Sequence, residues 1–262
     1  MVITSRKNPA VMFFRELCRD AKAREESGLL CAEGVKLCMD AVRSQLEIKN
    51  AFVTDSAKEK YPEEFSALSQ KADVQLVSDD IGEYMSDTRT PQGFFVIMEK
   101  PPESFETDKK EKARYIILDR LQDSGNVGTV IRTCDALGMD GVILSEDCAD
   151  VYSPKTVRST MGSLFRVPVM KTALAEIIPR MKKQGFCVFC AMLDSTAKSI
   201  EEISFPPRSA VVIGNEGSGV SAQTAQLSDG SVYIPIESAQ SLNAAVAAAI
   251  VCWELRRDIK DN

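Results

Sequence analysis

Apolar residues along the chain fall into short runs of strand length, separated by segments in which they recur every three or four positions. Asn8-Pro9 opens the first helix, with Asn8 as cap and Pro9 in the first turn, and the apolar stripe continues through Val11, Phe14, Leu17, Cys18 and Ala21. Runs at 29–32, 51–54, 74–77 and 93–98 predict strands, and the stretches at 34–44, 56–71 and 80–85 predict helices between them. This alternation describes a small α/β domain over residues 1–100. Residues 101–112 are proline-led, charged and without periodicity, which marks a linker. Beyond it, strands are expected at 115–118, 141–144, 167–169, 186–192, 210–213 and 232–234, with helices after Asn126, from Pro154, over 174–183 and after Ser241. The repeated β–α order in 113–262 calls for a parallel sheet covered on both faces.

Three stretches of this second region carry more than structure. In Y-I-I-L-D-R-L-Q-D-S-G-N-V-G-T-V-I-R (115–132) an apolar strand runs into turn chemistry and then a helix, for which Asn126 is well placed as cap. Val127, Val130, Ile131 and Cys134 make its buried face, with Gly128, Arg132 and Asp135 on a flank. Arg132 and Asp135 could form an ordinary i, i+3 pair, yet the carboxyl end of a strand in an open α/β sheet is also where ligands bind. In A-V-V-I-G-N-E-G-S-G (210–219) a buried strand turns into three closely spaced glycines, which permit positive φ and close backbone approach to a ligand. Glu216 inside that turn is either a turn carboxylate or an acceptor for a ligand or a partner arginine. In the last stretch a strand stops at Pro235, Ser241 can cap the final helix, and Leu242, Ala245, Val246, Ala249 and Trp253 form one stripe. Asn243, a poor helix former in the first turn, is left without a structural explanation.

Composition narrows the chemistry. With 44% hydrophobic residues in 262, the chain can bury a sizeable core, and no apolar run approaches the ~20 residues of a membrane span. The N-terminus lacks a signal-peptide core, and eight cysteines without one read as reduced cytosolic thiols. Cys187 and Cys190 form a C-x-x-C within an apolar strand pattern, with no second pair, so no metal is expected. The net charge of −6 argues against non-specific coating of nucleic acid but leaves room for a local basic patch, such as Arg6 and Lys7 with Arg15, Arg19, Lys22 and Arg24 around the first helix. The chain contains no histidine, so any general base must be another group.

Taken together, N-x-G-x-x-x-R (126–132), I-G-N-E-G-x-G (213–219) and I-P followed by S-L-N (234–243), each just after a strand, resemble the SpoU/TrmH branch of the SPOUT RNA methyltransferases. The likeness covers about residues 114–257; I-T-S-R-K-N-P (3–9) and T-P-Q-G-F-F (90–95) are similar to the ends of the small substrate-binding domain often attached in that family. The resemblance implies S-adenosylmethionine-dependent methylation of a ribose 2′-hydroxyl in structured RNA, a deep trefoil knot in the C-terminal domain, and a cytoplasmic homodimer with active sites near the subunit interface. Large-subunit ribosomal RNA is favoured over transfer RNA as substrate. By motif, the cofactor is expected on Gly214, Asn215, Glu216, Gly217, Gly219, Ile234, Ile236 and Leu242; catalysis on Asn126, Arg132, Glu216, Ser241 and Asn243; and RNA contact on Arg6, Lys7 and Arg158. Ala244-Ala245 follow S-L-N where family members often carry Val-Ser. A knotted RNA-binding protein without catalysis is the alternative, opposed by the intact motif residues. A nucleotide-dependent oxidoreductase or kinase would need a G-x-G-x-x-G after the first strand or a P-loop lysine, and has neither.

Overall fold

The computed structural model describes residues 2–103, 110–239 and 241–260, with side chains described through Arg257. In chain order the elements are α1 (Pro9–Arg19), α2 (Ala21–Ser27), β1 (Leu29–Glu33), α3 (Val35–Arg43), β2 (Ile48–Thr54), α4 (Asp55–Lys60), α5 (Pro62–Lys71), β3 (Val74–Val77), α6 (Asp79–Met85) and β4 (Phe94–Glu99). They continue with β5 (Ala113–Leu118), α7 (Ser124–Leu137), β6 (Gly141–Leu144), α8 (Pro154–Thr160), β7 (Val169–Lys171), α9 (Leu174–Lys183), β8 (Cys187–Ala191), β9 (Lys198–Ser199), β10 (Arg208–Ile213), α10 (Ala222–Leu227), β11 (Gly230–Tyr233) and α11 (Ala244–Lys260). The chain divides into two compact units: Met1–Pro101 with Asp150–Arg166, and Pro102–Ala149 with Val167–Asn262. The core of the expected linker, 104–109, lies outside the described residues.

The first unit is built on a four-stranded sheet of order β1-β4-β2-β3, in which β4 is antiparallel to both neighbours and β2 is parallel to β3. Asn8 caps α1 as expected, its Oδ1 accepting from Ala10 N at 2.9 Å. That start fixes the phase of the helix and turns Val11, Phe14 and Leu17 onto the sheet, where all three are fully buried. Phe14 meets Phe95 and Phe52 edge-on, at centroid distances of 5.5 and 6.2 Å. Each such buried side chain contributes about 1.5–3 kcal/mol relative to exposure. Two expected helices prove to be pairs. The first ends at Arg19 because Asp20 leaves the helix and caps α2, accepting from Lys22 N at 2.9 Å. The second breaks at Tyr61-Pro62, since proline cannot donate the hydrogen bond that a continuous helix needs.

The second unit is a seven-stranded, wholly parallel sheet of order β7-β6-β5-β10-β8-β11-β9. Every residue of central β5 is buried, as are five of the six in β10, which is why 115–118 and 210–213 read as unbroken apolar runs. β10 lies between β5 and β8, so the ends of the first and second motif-bearing strands are neighbours. Arg114 is the charged exception inside β5: 2% exposed, it donates to the carbonyls of Pro206, Pro207 and Leu255, joining the final helix to the start of two strands. The face that α11 buries is Ala244, Ala245, Ala248, Val251, Cys252 and Leu255. This corrects the expected stripe, of which Val246 and Trp253 are 49% and 57% exposed. The small buried residues allow α11 to lie close along α7, with Cys134 Sγ and Cys252 Sγ 3.9 Å apart.

Truncating Phe14 to alanine should destabilise the protein by about 3–5 kcal/mol in urea denaturation followed by circular dichroism. Met12→Ala on the exposed face of the same helix should stay within about 0.5 kcal/mol.

Candidate functional site

The site is assembled where β5, β10, β8 and β11 end. At the end of β5, Asp119 is buried and satisfied: its Oδ2 accepts from Ser221 N at 2.7 Å and its Oδ1 from Arg120 Nε at 3.2 Å. Arg120 itself has φ of 58°, a left-handed conformation rare outside glycine. It is pinned on all sides. Its N–H donates to Ser145 Oγ at 2.8 Å, its carbonyl accepts from Asn215 Nδ2 at 2.7 Å, and its guanidinium donates to Gly219 O at 3.3 Å.

The 214–219 turn closes on itself, Asn215 and Gly219 exchanging backbone hydrogen bonds of 3.0 and 2.9 Å. Gly214 is required by space, since a Cβ there would stand 2.2 Å from the backbone of Gly219 and Val220. Gly217 is required neither by space nor by φ, contrary to the idea that all three glycines do one job. Asn215 is the inner strut of the turn, its Oδ1 accepting from Gly217 N at 2.9 Å and Ser218 N at 3.1 Å.

Glu216 reaches out of the turn to the opposite loop. Its carboxylate accepts from Asn126 Nδ2 at 3.0 Å, Asp123 N at 3.3 Å and Gln122 N at 3.4 Å. Partial burial pushes its pKa up, but these hydrogen bonds outweigh that and hold it below the usual carboxylate range. Asn126 is free to make this contact because it does not cap α7. Asp123 does, accepting from Asn126 N at 2.8 Å, which places Asn126 one turn inside the helix. The expected cap at Ser241 is likewise corrected. Asn243 takes that place, its Oδ1 accepting from Ala245 N at 2.9 Å and Val246 N at 3.3 Å, while its Nδ2 donates to Asn126 Oδ1 at 3.1 Å. The residue that looked misplaced in a helix is therefore its cap and one arm of a chain Asn243–Asn126–Glu216 linking all three motifs.

Beside this chain lies a cavity of about 320 Å³. All eight residues expected to hold a cofactor line it: Gly214, Asn215, Glu216, Gly217, Gly219, Ile234, Ile236 and Leu242, as does Ser241. The sequence reading missed Leu193 and its neighbours at the end of β8, and Ala244 and Ala247 of α11. β8 enters through its position next to β10 in the sheet, which no linear motif records. The lining is mostly glycine and apolar residues with Glu216 as its acidic residue, a surface that suits a flat heteroaromatic ring and a cationic centre.

The other expected residues make none of the hydrogen bonds that build this cluster. Arg132 is exposed on α7 and has no hydrogen-bond or ion-pair partner among the described residues. In the first unit, Arg6 lies 4.9 Å over the ring of Tyr84, which Arg15 also covers at 4.6 Å, and Lys7 is exposed. Arg158 is held by carboxylates: Nη2 donates to Asp87 Oδ2 at 2.8 Å and Nη1 stands 3.9 Å from Glu33 Oε2.

Residues 113–253 match the family model described as SpoU rRNA Methylase family, and residues 8–96 match the MRM3-like substrate binding domain. The chain is 34% identical to the 23S rRNA (guanosine(2553)-2′-O)-methyltransferase RlmP of Bacillus subtilis, over 97% of this chain and 98% of that protein. It is 28% identical to the 23S rRNA (uridine(2479)-2′-O)-methyltransferase of Streptomyces viridochromogenes, covering 97% of this chain and 91% of the other. The AdoMet-bound rRNA methyltransferase structure from Sinorhizobium meliloti superposes with a TM-score of 0.86 at 30% identity, covering 98% and 97% of the two chains.

Gly214→Ala should lower stability by at least about 2 kcal/mol, since backbone cannot yield as a side chain does, whereas Gly217→Ala should change it by less than about 0.5 kcal/mol. Differential scanning fluorimetry of the two variants side by side reads the difference.

Proposed function

We propose that this chain, which belongs to the SpoU rRNA methylase family, transfers a methyl group from S-adenosylmethionine to a ribose 2′-hydroxyl of large-subunit ribosomal RNA. The observation that carries this reading is the Asn243–Asn126–Glu216 chain standing beside a glycine-turned, apolar cavity. The substrate follows from the relatives, two of which are named as 23S rRNA 2′-O-methyltransferases.

S-adenosylmethionine supplies, when bound, a sulfonium methyl that an oxygen nucleophile displaces. The fit of the cavity to it rests on volume, on the apolar lining by Ile213, Ile234, Ile236 and Leu242, and on the ionised Glu216 at its edge. Gly214 and Asn215 keep the turn in the shape that exposes its main chain. Asn126 and Asn243 fix the loop on which the acceptor ribose is aligned, and alignment of the oxygen supplies much of the rate. Arg132 grips the phosphate next to the acceptor. It does not act as base, because a guanidinium stays protonated up to pH ~12 and above. Glu216 is a poor base as well: its pKa is depressed and its oxygens are engaged by Asn126 and two backbone N–H groups. The hydroxyl proton passes to water or phosphate.

The reading extends to assembly. A homodimer is supported by the exposed Val246 and Trp253 on α11, packed beside the helix that carries the exposed, unengaged Arg132. Arg132 then serves a site completed at the subunit interface. A trefoil knot in the C-terminal segment is supported by the family and by β10 lying between β5 and β8. In this reading residues 113–262 form the methyltransferase domain and residues 1–100 the RNA-binding domain, where Arg6 and Lys7 offer cations to phosphate. Arg158 would first have to release a carboxylate. None of the eight cysteines is in a disulfide, which supports a cytoplasmic location, and no helix among the described residues is long and apolar enough to cross a membrane.

Arg132→Ala should reduce methyl transfer to 23S rRNA by about 10²–10³-fold while calorimetry shows S-adenosylhomocysteine binding as in the wild type; undiminished turnover would contradict the assignment. Trp253→Glu should convert a dimer to a monomer in light scattering and remove activity with it.

A further inference from the structure

The first unit contains a cleft of about 670 Å³ that the fold does not explain. It opens where the parallel strands β2 and β3 end and β4 enters, the position at which open α/β sheets hold ligands. Its walls come from Thr54 at the end of β2 and Ser56 after it, Lys60 and Tyr61 at the α4–α5 break, Asp79 and Glu83 of α6, and residues 89–93.

The frame of this cleft is preformed. Gly93 has φ of 73°, and a Cβ there would fall 2.4 Å from Thr54 Oγ1 and 2.6 Å from Ala57 Cβ, so the loop is seated directly on the floor. Gln92 locks the other side, its Oε1 accepting from Val35 N at 3.0 Å. The T-P-Q-G segment is thus explained as a loop holder, and the cleft it frames is lined by two cations that the fold leaves without a carboxylate partner among the described residues. Lys60 and Arg89 are exposed cations with no ion-pair partner among the described residues, Lys60 resting 5.3 Å over the Tyr61 ring. Asp79 accepts from Ser56 Oγ at 2.6 Å, a bond that keeps its carboxyl below the usual range and therefore an acceptor only.

We infer that this cleft binds one unstacked nucleotide of the RNA substrate, its backbone phosphate on Lys60 and Arg89 and its base edge on Asp79 and Ser56. The inference rests on the proposed RNA methylation and adds to it the place where the first unit grips RNA. A bare phosphate or an acidic peptide would set its charge against Asp79 and Glu83. A nucleotide carries both an anionic backbone and a base edge with N–H donors, which matches a cleft lined by both cations and an ionised carboxylate. The volume lies within the ~300–1,000 Å³ of typical ligand sites. Single-stranded, splayed-out bases are also what proteins read in RNA by hydrogen bonding to base edges.

The test uses the full chain and 23S rRNA transcribed in vitro. Lys60→Ala with Arg89→Ala should weaken RNA binding by about tenfold or more and flatten the plot of log affinity against log salt by about one to two phosphate contacts. S-adenosylhomocysteine affinity and thermal midpoint should stay as in the wild type. Independently of any variant, photocrosslinking to 4-thiouridine-substituted RNA should label peptides containing Lys60–Tyr61 or residues 89–93. Wild-type affinity and salt dependence in the double variant, or crosslinks confined to the Arg6–Lys7 region, would overturn the cleft while leaving RNA methylation standing. Failure of the wild-type protein to bind RNA would remove both. Loss of a protein partner with RNA binding unchanged would reassign the cleft to a polypeptide and overturn the inference.

Discussion

The side-chain amide of Asn126 is the constraint on which the second unit's site depends. Three segments that end far apart in sequence, after β5, β10 and β11, present their ligand-facing residues together because this one group both accepts from Asn243 and donates to Glu216. An amide is the side chain suited to that double duty. A carboxylate at 126 would repel Glu216, and an aliphatic residue of the same size would leave both partners unsatisfied. The energy involved is modest, about 1 kcal/mol net for a neutral hydrogen bond and about 1.5–3 for one to a charged group. What the amide provides is register: it sets which face of the 214–219 turn looks into the cavity, and the two backbone N–H groups of Gln122 and Asp123 reinforce the same placement.

How much of this was legible in the sequence depended on the kind of interaction. Strands such as β5, β6 and β10 announced themselves because both faces are covered and the last four positions of each are apolar or glycine. Helix starts did not, wherever several good capping residues stand within three positions. Asp123 and Asn126, and again Ser241 and Asn243, are chemically interchangeable as caps, and tertiary hydrogen bonds decide between them. The same decision then creates the site, since the asparagine released from capping at 126 is the one that bridges. The eight cavity-lining residues expected to hold a cofactor were named by motif because they sit on two continuous segments. Leu193 was not, because its place in the cavity follows from strand order. The strained φ of Arg120 had no sequence signal: nothing in D-R-L-Q distinguishes a left-handed arginine from an ordinary one.

Net charge was a poor guide to where cations act. Arg114 and Arg24 are buried and donate to main-chain carbonyls, Arg24 also to Asp150, so two of the basic residues that a composition count offers to RNA are fastening the fold instead. Arg158 is likewise engaged by Asp87 and Glu33. The acidic total therefore coexists with a small set of cations that no carboxylate neutralises among the described residues, of which Arg132, Lys60 and Arg89 are members. Electrostatic recognition of RNA depends on such unengaged charges, because a cation already paired must lose its carboxylate before it gains a phosphate.

The depressed pKa of Glu216 bears on the proposed chemistry. A carboxylate can orient a loop or it can accept a proton from a weakly acidic hydroxyl, and the two uses pull its pKa in opposite directions. Hydrogen bonds that favour the charged form commit Glu216 to orientation, and a chain without histidine has no ordinary base to take its place. On the proposed reading, catalysis here rests on a strong electrophile and on geometry. The methyl donor needs little activation, and the protein's contribution is to hold an oxygen behind it while a guanidinium fixes the neighbouring phosphate. The rigidity of the 119–126 and 214–219 loops is then itself the catalytic device, which accounts for so many of their polar atoms being spent on one another.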